Sequence, residues 1–440
     1  MIMRLPCASA RNIVFFGVIA EKEFTMRILI ANTAAAIAVA GFLACPSVAF
    51  ALGDLNLTVD CGRRGNSINR ALSRPTLLDR RLVVTVSGTC DENVTLARDD
   101  VVLRAQAAGS GVKAADAAQP AILIDGARRV MLDGLTVVGG NVGVKATGAA
   151  EVIVRNSAIG DAVTHGIVVD GRTTMMVEGS TIEKNGQEGV VADGSSIKMT
   201  GSTVQGNGFS GIVATRGGDA ILGDTDSAGT VCCGNYIQNN ARDGMTLTDN
   251  ASAVLFGNTI QDNGQSTGRF GILVVQGASV WLRGGNVASH NGSSTGGGGV
   301  YARGGSIIRT GAGDLPQNPT TNDVSNNTFG LQATNNSYME LQGGLSVSGS
   351  TYTGLVVDAG SRLRTSQSSI SNNGALGIFV ARDSSAEFLG NANVVSGNGQ
   401  VGLYCADSES YYSGNVGGIA GNPGGDVVNC TTYSLPAPPP

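Results

Sequence analysis

Histidine and tryptophan are nearly missing from this 440-residue chain, which holds two His and one Trp. With only His165 and His290 to draw on, a Ser-His-Asp relay has little material. Charge is scarce as well, at 14% of residues, and the balance is −5. Without residues 1–51, which carry Arg4, Arg11, Lys22, Arg27, Glu21 and Glu23, it becomes −7, from 25 basic and 32 acidic residues. That disfavours nucleic acid, heparin-like chains and anionic membranes as partners. After residue 51 no apolar run approaches the ~20 residues of a spanning helix. No phosphate-cradling loop precedes a helix. Proline is limited to 11 residues, and 42% apolar content is enough to build a core rather than a disordered chain.

Glycine, by contrast, is abundant, with 65 residues and no collagen-like three-residue period. That points to a backbone that turns often. A length above ~250 residues ordinarily suggests two domains. A repeat protein escapes this rule, because its core grows along one dimension.

Residues 1–51 read as a secretion signal with a start at Met26: Met26-Arg27, an apolar run over 28–43, then the small-x-small site Ala49-Phe50-Ala51. Residues 1–25 are then an upstream extension. Leu43-Ala44-Cys45 offers a lipid-anchored alternative, which Phe42 and Leu43 fit poorly. The expected location is secreted, periplasmic or at the cell surface, with no insertion into the membrane. Six cysteines follow the signal, an even count that suits disulfides outside the cytoplasm. Cys61 and Cys90 flank the first folded unit, Cys405 and Cys430 flank the last, and the expected bonds are Cys61–Cys90 and Cys405–Cys430. Cys232-Cys233 is either a vicinal bond or two thiols. A zinc site is the alternative, but no CxxC pair or nearby His supports it.

A Gly followed by a short alternating strand recurs at Gly166, Gly189, Gly211, Gly244, Gly271, Gly299, Gly330, Gly354, Gly377 and Gly402. Many steps are 22–24 residues, as from Gly166 to Gly189 and from Gly354 to Gly377. Each repeat holds two more strands, one represented by Val152-Ile153-Val154 and Val280-Trp281-Leu282, the other by the segments around Ile182, Val204, Ile260 and Ile370. Three strands of three to four residues plus turns fill such a coil. Alternation puts one set of side chains inside and the other outside. Asn-rich turns close the third strand: Asn185-Gly186, Asn207-Gly208, Asn263-Gly264, Asn373-Gly374, Asn398-Gly399. Asn and Gly tolerate left-handed backbone, and stacked Asn side chains can bond along the rod. Ordinary hairpins would not repeat every three strands.

This pattern resembles the right-handed parallel β-helix proteins related in fold to pectate lyases, over roughly residues 82–425. The resemblance implies an all-β, single-chain right-handed β-helix of three short strands per coil and about eleven or more coils. The expected organisation is a cap at 52–90 with a helix around Ile68, Ala71 and Leu72 ended by Pro75, the β-helix at 91–430, and a loose Pro-rich tail at 431–440. An end cap is needed because an open rod exposes strand edges and core.

Four steps are long: Gly211 to Gly244 (33), Gly244 to Gly271 (27), Gly271 to Gly299 (28) and Gly299 to Gly330 (31). Their excess falls near 224–233, after two Asn-Gly turns, and near 311–321. The groove these overhangs border is the expected site location. On the Gly-strand sheet the first outward column reads Val168, Val191, Val213, Thr246, Leu273, Tyr301, Gln332, Val356, Phe379, Tyr404. Leu273, Tyr301, Phe379 and Tyr404, with Arg303 nearby, make a sugar-stacking candidate; burial under loops or subunit contact is the alternative. Asp170 and Asp193 lie on adjacent coils and are candidates for acid–base work or for Ca²⁺ binding. Each precedes a Gly, so a turn role is the plainer reading. Trp281 and Arg283 point outward from another sheet, where packing is the simpler role.

The Asn-Thr-Asp, Gly-His-Gly and Arg-Ile-Lys signatures of polygalacturonase-like relatives do not occur. Arg303 stands several coils from Asp170 and Asp193, too far for a lyase-like site on one sugar. The leading expectation is therefore a β-helix that binds an extended polysaccharide or cell-surface glycan without cleaving it. A lyase, epimerase or hydrolase on the long coils, and a structural or adhesive surface protein, are the alternatives.

Overall fold

The computed structural model describes residues 53–74, 80–311 and 321–432. The chain divides into Met1–Ala51 and Leu52–Pro440. The signal, Pro75, most of the 311–321 insertion and nearly all of the tail lie outside the described residues.

The described chain winds as a parallel β-solenoid. Each full coil lays one strand in each of three sheets. Ser252–Leu255 lies in the first, Thr259–Gln261 in the second and Phe270–Val275 in the third, the Gly-strand sheet. The third sheet holds 14 strands; the first two are counted together as 28 because Tyr338–Ser348 and Arg362–Ser371 run through both. Fourteen rungs at ~4.8 Å make a rod of roughly 65 Å. This agrees with the expectation of about eleven or more coils. Early rungs escape the Gly pattern because Asn93 and Ala121 stand where later coils have Gly.

Alternation produces the core. The residue after each repeated Gly points inward, and Ile167, Val190, Ile212, Met245, Ile272 and Val300 are all buried. Parallel register continues the stack: Ile167 is opposite Val190, Val190 opposite Ile212, and Ile212 opposite Met245. Each such side chain contributes about 2 kcal/mol of apolar burial.

The repeated Gly is dictated by close approach. A Cβ at Gly189 would stand 2.7 Å from Asn207 Nδ2 and 2.6 Å from Val204 Cγ1 of the next coil. Those Asn side chains form the expected ladder. Asn185 Nδ2 donates to Asn207 Oδ1 at 2.9 Å, Asn207 to Asn240 at 2.9 Å, Asn240 to Asn263 at 2.9 Å, and Asn263 to Asn291 at 3.1 Å. A second ladder at the first–second sheet corner runs Asn235, Asn258, Asn286, Asn322, with bonds of 2.9, 3.1 and 2.9 Å. All are buried. In a dry interior each such amide must find partners, and the stack provides them.

The N-terminal end departs from a helix laid across the mouth. Only five residues, Ile68–Leu72, are helical, about 7.5 Å of length. The ladder itself extends upstream instead: Leu55–Asp60 pairs in parallel with Leu82–Ser87. The short turn is anchored by the Glu92 carboxylate, which accepts from Ser67 Oγ at 2.8 Å, Ile68 N at 2.6 Å and Asn69 N at 3.1 Å. Disulfides join Cys61–Cys90, Cys232–Cys233 and Cys405–Cys430, the first and last with Cα atoms 4.9 Å apart. Three bonds of this kind indicate an oxidising compartment.

Candidate functional site

The outward column of the Gly-strand sheet is continuous. Val213 faces Thr246, Thr246 faces Leu273, Leu273 faces Tyr301, Tyr301 faces Gln332, and Phe379 faces Tyr404. Each is half-buried rather than covered. Tyr301 packs on Phe270 at 4.7 Å between ring centroids, and its hydroxyl lies 3.0 Å from Thr334 Oγ1. Phe379 and Tyr404 stack at 6.1 Å. The column therefore offers two aromatic steps three rungs apart, roughly 14 Å by strand spacing.

A flank beside it escaped the sequence reading. The residues before the repeated Gly form their own column: His165, Glu188, Ser210, Asp243, Phe270. His165 Nδ1 lies 3.0 Å from Glu188 Oε2. Arg242 sits 3.9 Å over the Phe209 ring. Asp243 is 3% exposed; its Oδ1 accepts from Phe270 N at 2.8 Å and its Oδ2 from Thr246 Oγ1 at 3.3 Å. Burial pushes its carboxyl above the usual range, opposed by the Phe270 N–H and by Arg269. The signal was present in the position preceding each Gly, but the column of chemistry-bearing types is interrupted by Phe and Gly.

Asp170 and Asp193 are not a free acidic pair. Lys145 Nζ lies 3.3 Å from Asp170 Oδ2, and Arg216 engages Asp193. Asp358, farther down the same column, is engaged by Arg382. Among the described residues no group of three or more His, Cys, Asp or Glu is arranged to hold a metal ion. Arg303 is exposed, opposite Val275 and Thr334. Four rungs part it from Asp193, about 19 Å.

The overhangs do not border one groove. Residues 264–269 and 292–297 lie between the second and Gly-strand sheets, beside Phe270 and Tyr301. The 224–233 excess is a small hairpin, Asp224–Thr225 antiparallel to Val231–Cys232, at the corner of the first and second sheets. The 311 excess leaves the chain at that same corner, where Trp281 Nε1 donates to Gly311 O at 3.1 Å. Arg283 lies 4.4 Å over the Trp281 ring and 5.6 Å over Phe256. Coil length counts the extra residues but not the corner that holds them.

Among the described residues no helix is long and apolar enough to cross a membrane. No curated protein matches the chain. Among solved structures, it is similar to the Dettilon tailspike protein (gp208), at 14% identity and TM-score 0.42, over 80% of this chain and 70% of that one. The catalytic unit of a thermostable GH87 alpha-1,3-glucanase from Streptomyces thermodiastaticus matches at 14% and 0.42, over 81% of this chain and 64% of that one. The Azotobacter vinelandii mannuronan C-5 epimerase AlgE6 A-module matches at 13% and 0.32, over 82% and 91%. Nothing about substrate follows from likeness at this level. Residues 92–225 match the family model described as right handed beta helix region, in keeping with the parallel three-sheet winding of the described chain, and no specific subfamily is matched.

Proposed function

We propose that this is an exported β-helix protein that binds an extended, neutral polysaccharide or cell-surface glycan along its Gly-strand sheet without cleaving it. The observation that carries the reading is the unbroken outward column with half-exposed ring pairs at Phe270–Tyr301 and Phe379–Tyr404. Flat ring faces suit pyranose rings, and hydroxyl and amide groups at Thr246, Thr334 and Gln332 can bond sugar hydroxyls. A rigid sheet holds these groups in place before the ligand arrives, which lowers the ordering cost of binding.

Asp243 is the one observation that favours a hydrolase instead, since a carboxyl raised by burial above its usual range moves toward what a general acid needs. Both its oxygens are already engaged by Phe270 N and Thr246 Oγ1, which supports a structural role. Glu188, the nearest acid in its column, is two rungs away, about 10 Å.

A polysaccharide panel scored for both retention and depolymerisation tests the proposal. Retention without shortening is expected. Tyr301→Ala with Phe379→Ala should weaken retention about tenfold, or ~1.4 kcal/mol. Unchanged retention discards the platform, and shortened chains discard the non-catalytic reading.

A further inference from the structure

A cavity lies on a different face, the outward side of the first sheet in its C-terminal half. It measures about 760 Å³. Tyr338, Arg362, Ser385 and Tyr411 form one column across it, each directly opposite the next. Arg364, Glu387 and Ser413 form the parallel column two residues on. Asn336 and Ser337 also line it.

Charge within this basin is uneven. Arg364 Nε lies 3.4 Å from Glu387 Oε2, and upstream Arg309 lies 3.3 Å from Glu340, so those cations are matched. Arg362 is exposed and makes no ion pair among the described residues. It is the basin's unmatched cation, one rung from the Tyr338 ring and two from the Tyr411 ring. A guanidinium presents a planar fork that suits carboxylate or sulfate oxygens. Beside the Arg364–Glu387 pair, the rest of the lining mixes two Tyr rings, Leu363, Ala386 and Gly360 with hydroxyls and the Asn336 amide, a combination that suits the apolar face and polar edge of a pyranose.

We infer that this basin is a second saccharide site, taking an anionic sugar unit whose carboxylate or sulfate is held by Arg362 while its ring packs on Tyr338 or Tyr411. The inference does not rest on the Gly-strand platform, because the two sets of residues lie on different sheets.

Calorimetric titration of the whole protein tests it with three oligosaccharides of equal length: one containing glucuronic acid, one sulfated, one uncharged. At least one charged probe should bind about tenfold tighter than the uncharged one and weaken as salt rises from low to physiological strength. Which charged probe prevails identifies the anion. Arg362→Gln should remove that preference, and Ser385→Trp, which fills the basin, should remove it as well. Arg362 is a surface side chain, and unchanged thermal melts would confirm that its variant folds. Equal affinity for charged and uncharged probes, or full charge preference in Arg362→Gln, overturns the inference.

Discussion

Asn263 shows what one residue does in this rod. It accepts from the Asn240 backbone and amide, and its own amide reaches Ile237 O, Gln261 O and Asn291 Oδ1. Asn263→Ala would strip partners from several buried groups at once, at a cost on the order of 3 kcal/mol. Denaturant unfolding should show this loss; a change below about 0.5 kcal/mol would mean that the ladder is incidental. Two aspartates make predictions of opposite sign. Arg155 and Arg104 hold the Asp133 carboxyl below its usual range. Its folded value is depressed, so its contribution is present at neutral pH and fades as pH falls through and below the ordinary carboxylate range. Asp133→Asn should therefore lower the Tm at pH 7 and make little difference at pH 2. Asp243 is raised by burial, so its contribution is complete in acid and fades as pH climbs above the ordinary value. An Asn Oδ1 can still accept from Phe270 N while its Nδ2 donates to Thr246 Oγ1, reversing that bond, and Asp243→Asn should leave the Tm at pH 7 unchanged or higher.

At the scale of the coil, turns and strands were legible because their chemistry is local. The Asn-Gly pairs announce the left-handed turns; Lys184 before the first of them has φ 55° and Asn372 has φ 57°. Alternation then assigns every side chain of a three-residue strand to inside or outside. The second Asn ladder went unread, although Gly234-Asn235 and Gly257-Asn258 precede their strands as regularly as the Asn-Gly turns follow them. The placement of insertions was beyond sequence reading, since the 33 residues from Gly211 to Gly244 do not say which of three corners bulges. Ion pairing was equally hidden: Lys145 and Arg216 meet Asp170 and Asp193 only through inter-coil register. The hairpin at 224–233 occupies the corner away from the Gly-strand sheet. Shortening it between Asp226 and Thr230 should leave polysaccharide retention on that sheet intact; loss of retention would place the ligand at the other corner.

For the whole molecule, function depends on columns that stay in register across coils of unequal length. The basin was not legible because it is a property of several coils together: Tyr338, Arg362 and Tyr411 are separated by 24 and 49 residues and become neighbours only through stacking. Both proposed faces fail together if one coil slips by a residue, since that would turn every outward side chain inward. The most demanding step is Val213 opposite Thr246, across the longest insertion. Adjacent strands at ~4.8 Å bring such a pair within disulfide range. The decisive measurement is mass spectrometry of oxidised Val213→Cys/Thr246→Cys protein. A cross-link between these two positions, with the native disulfides intact, is the expected result. Reduced thiols there, together with a cross-link in Val213→Cys/Leu247→Cys, would contradict the register and with it both binding faces.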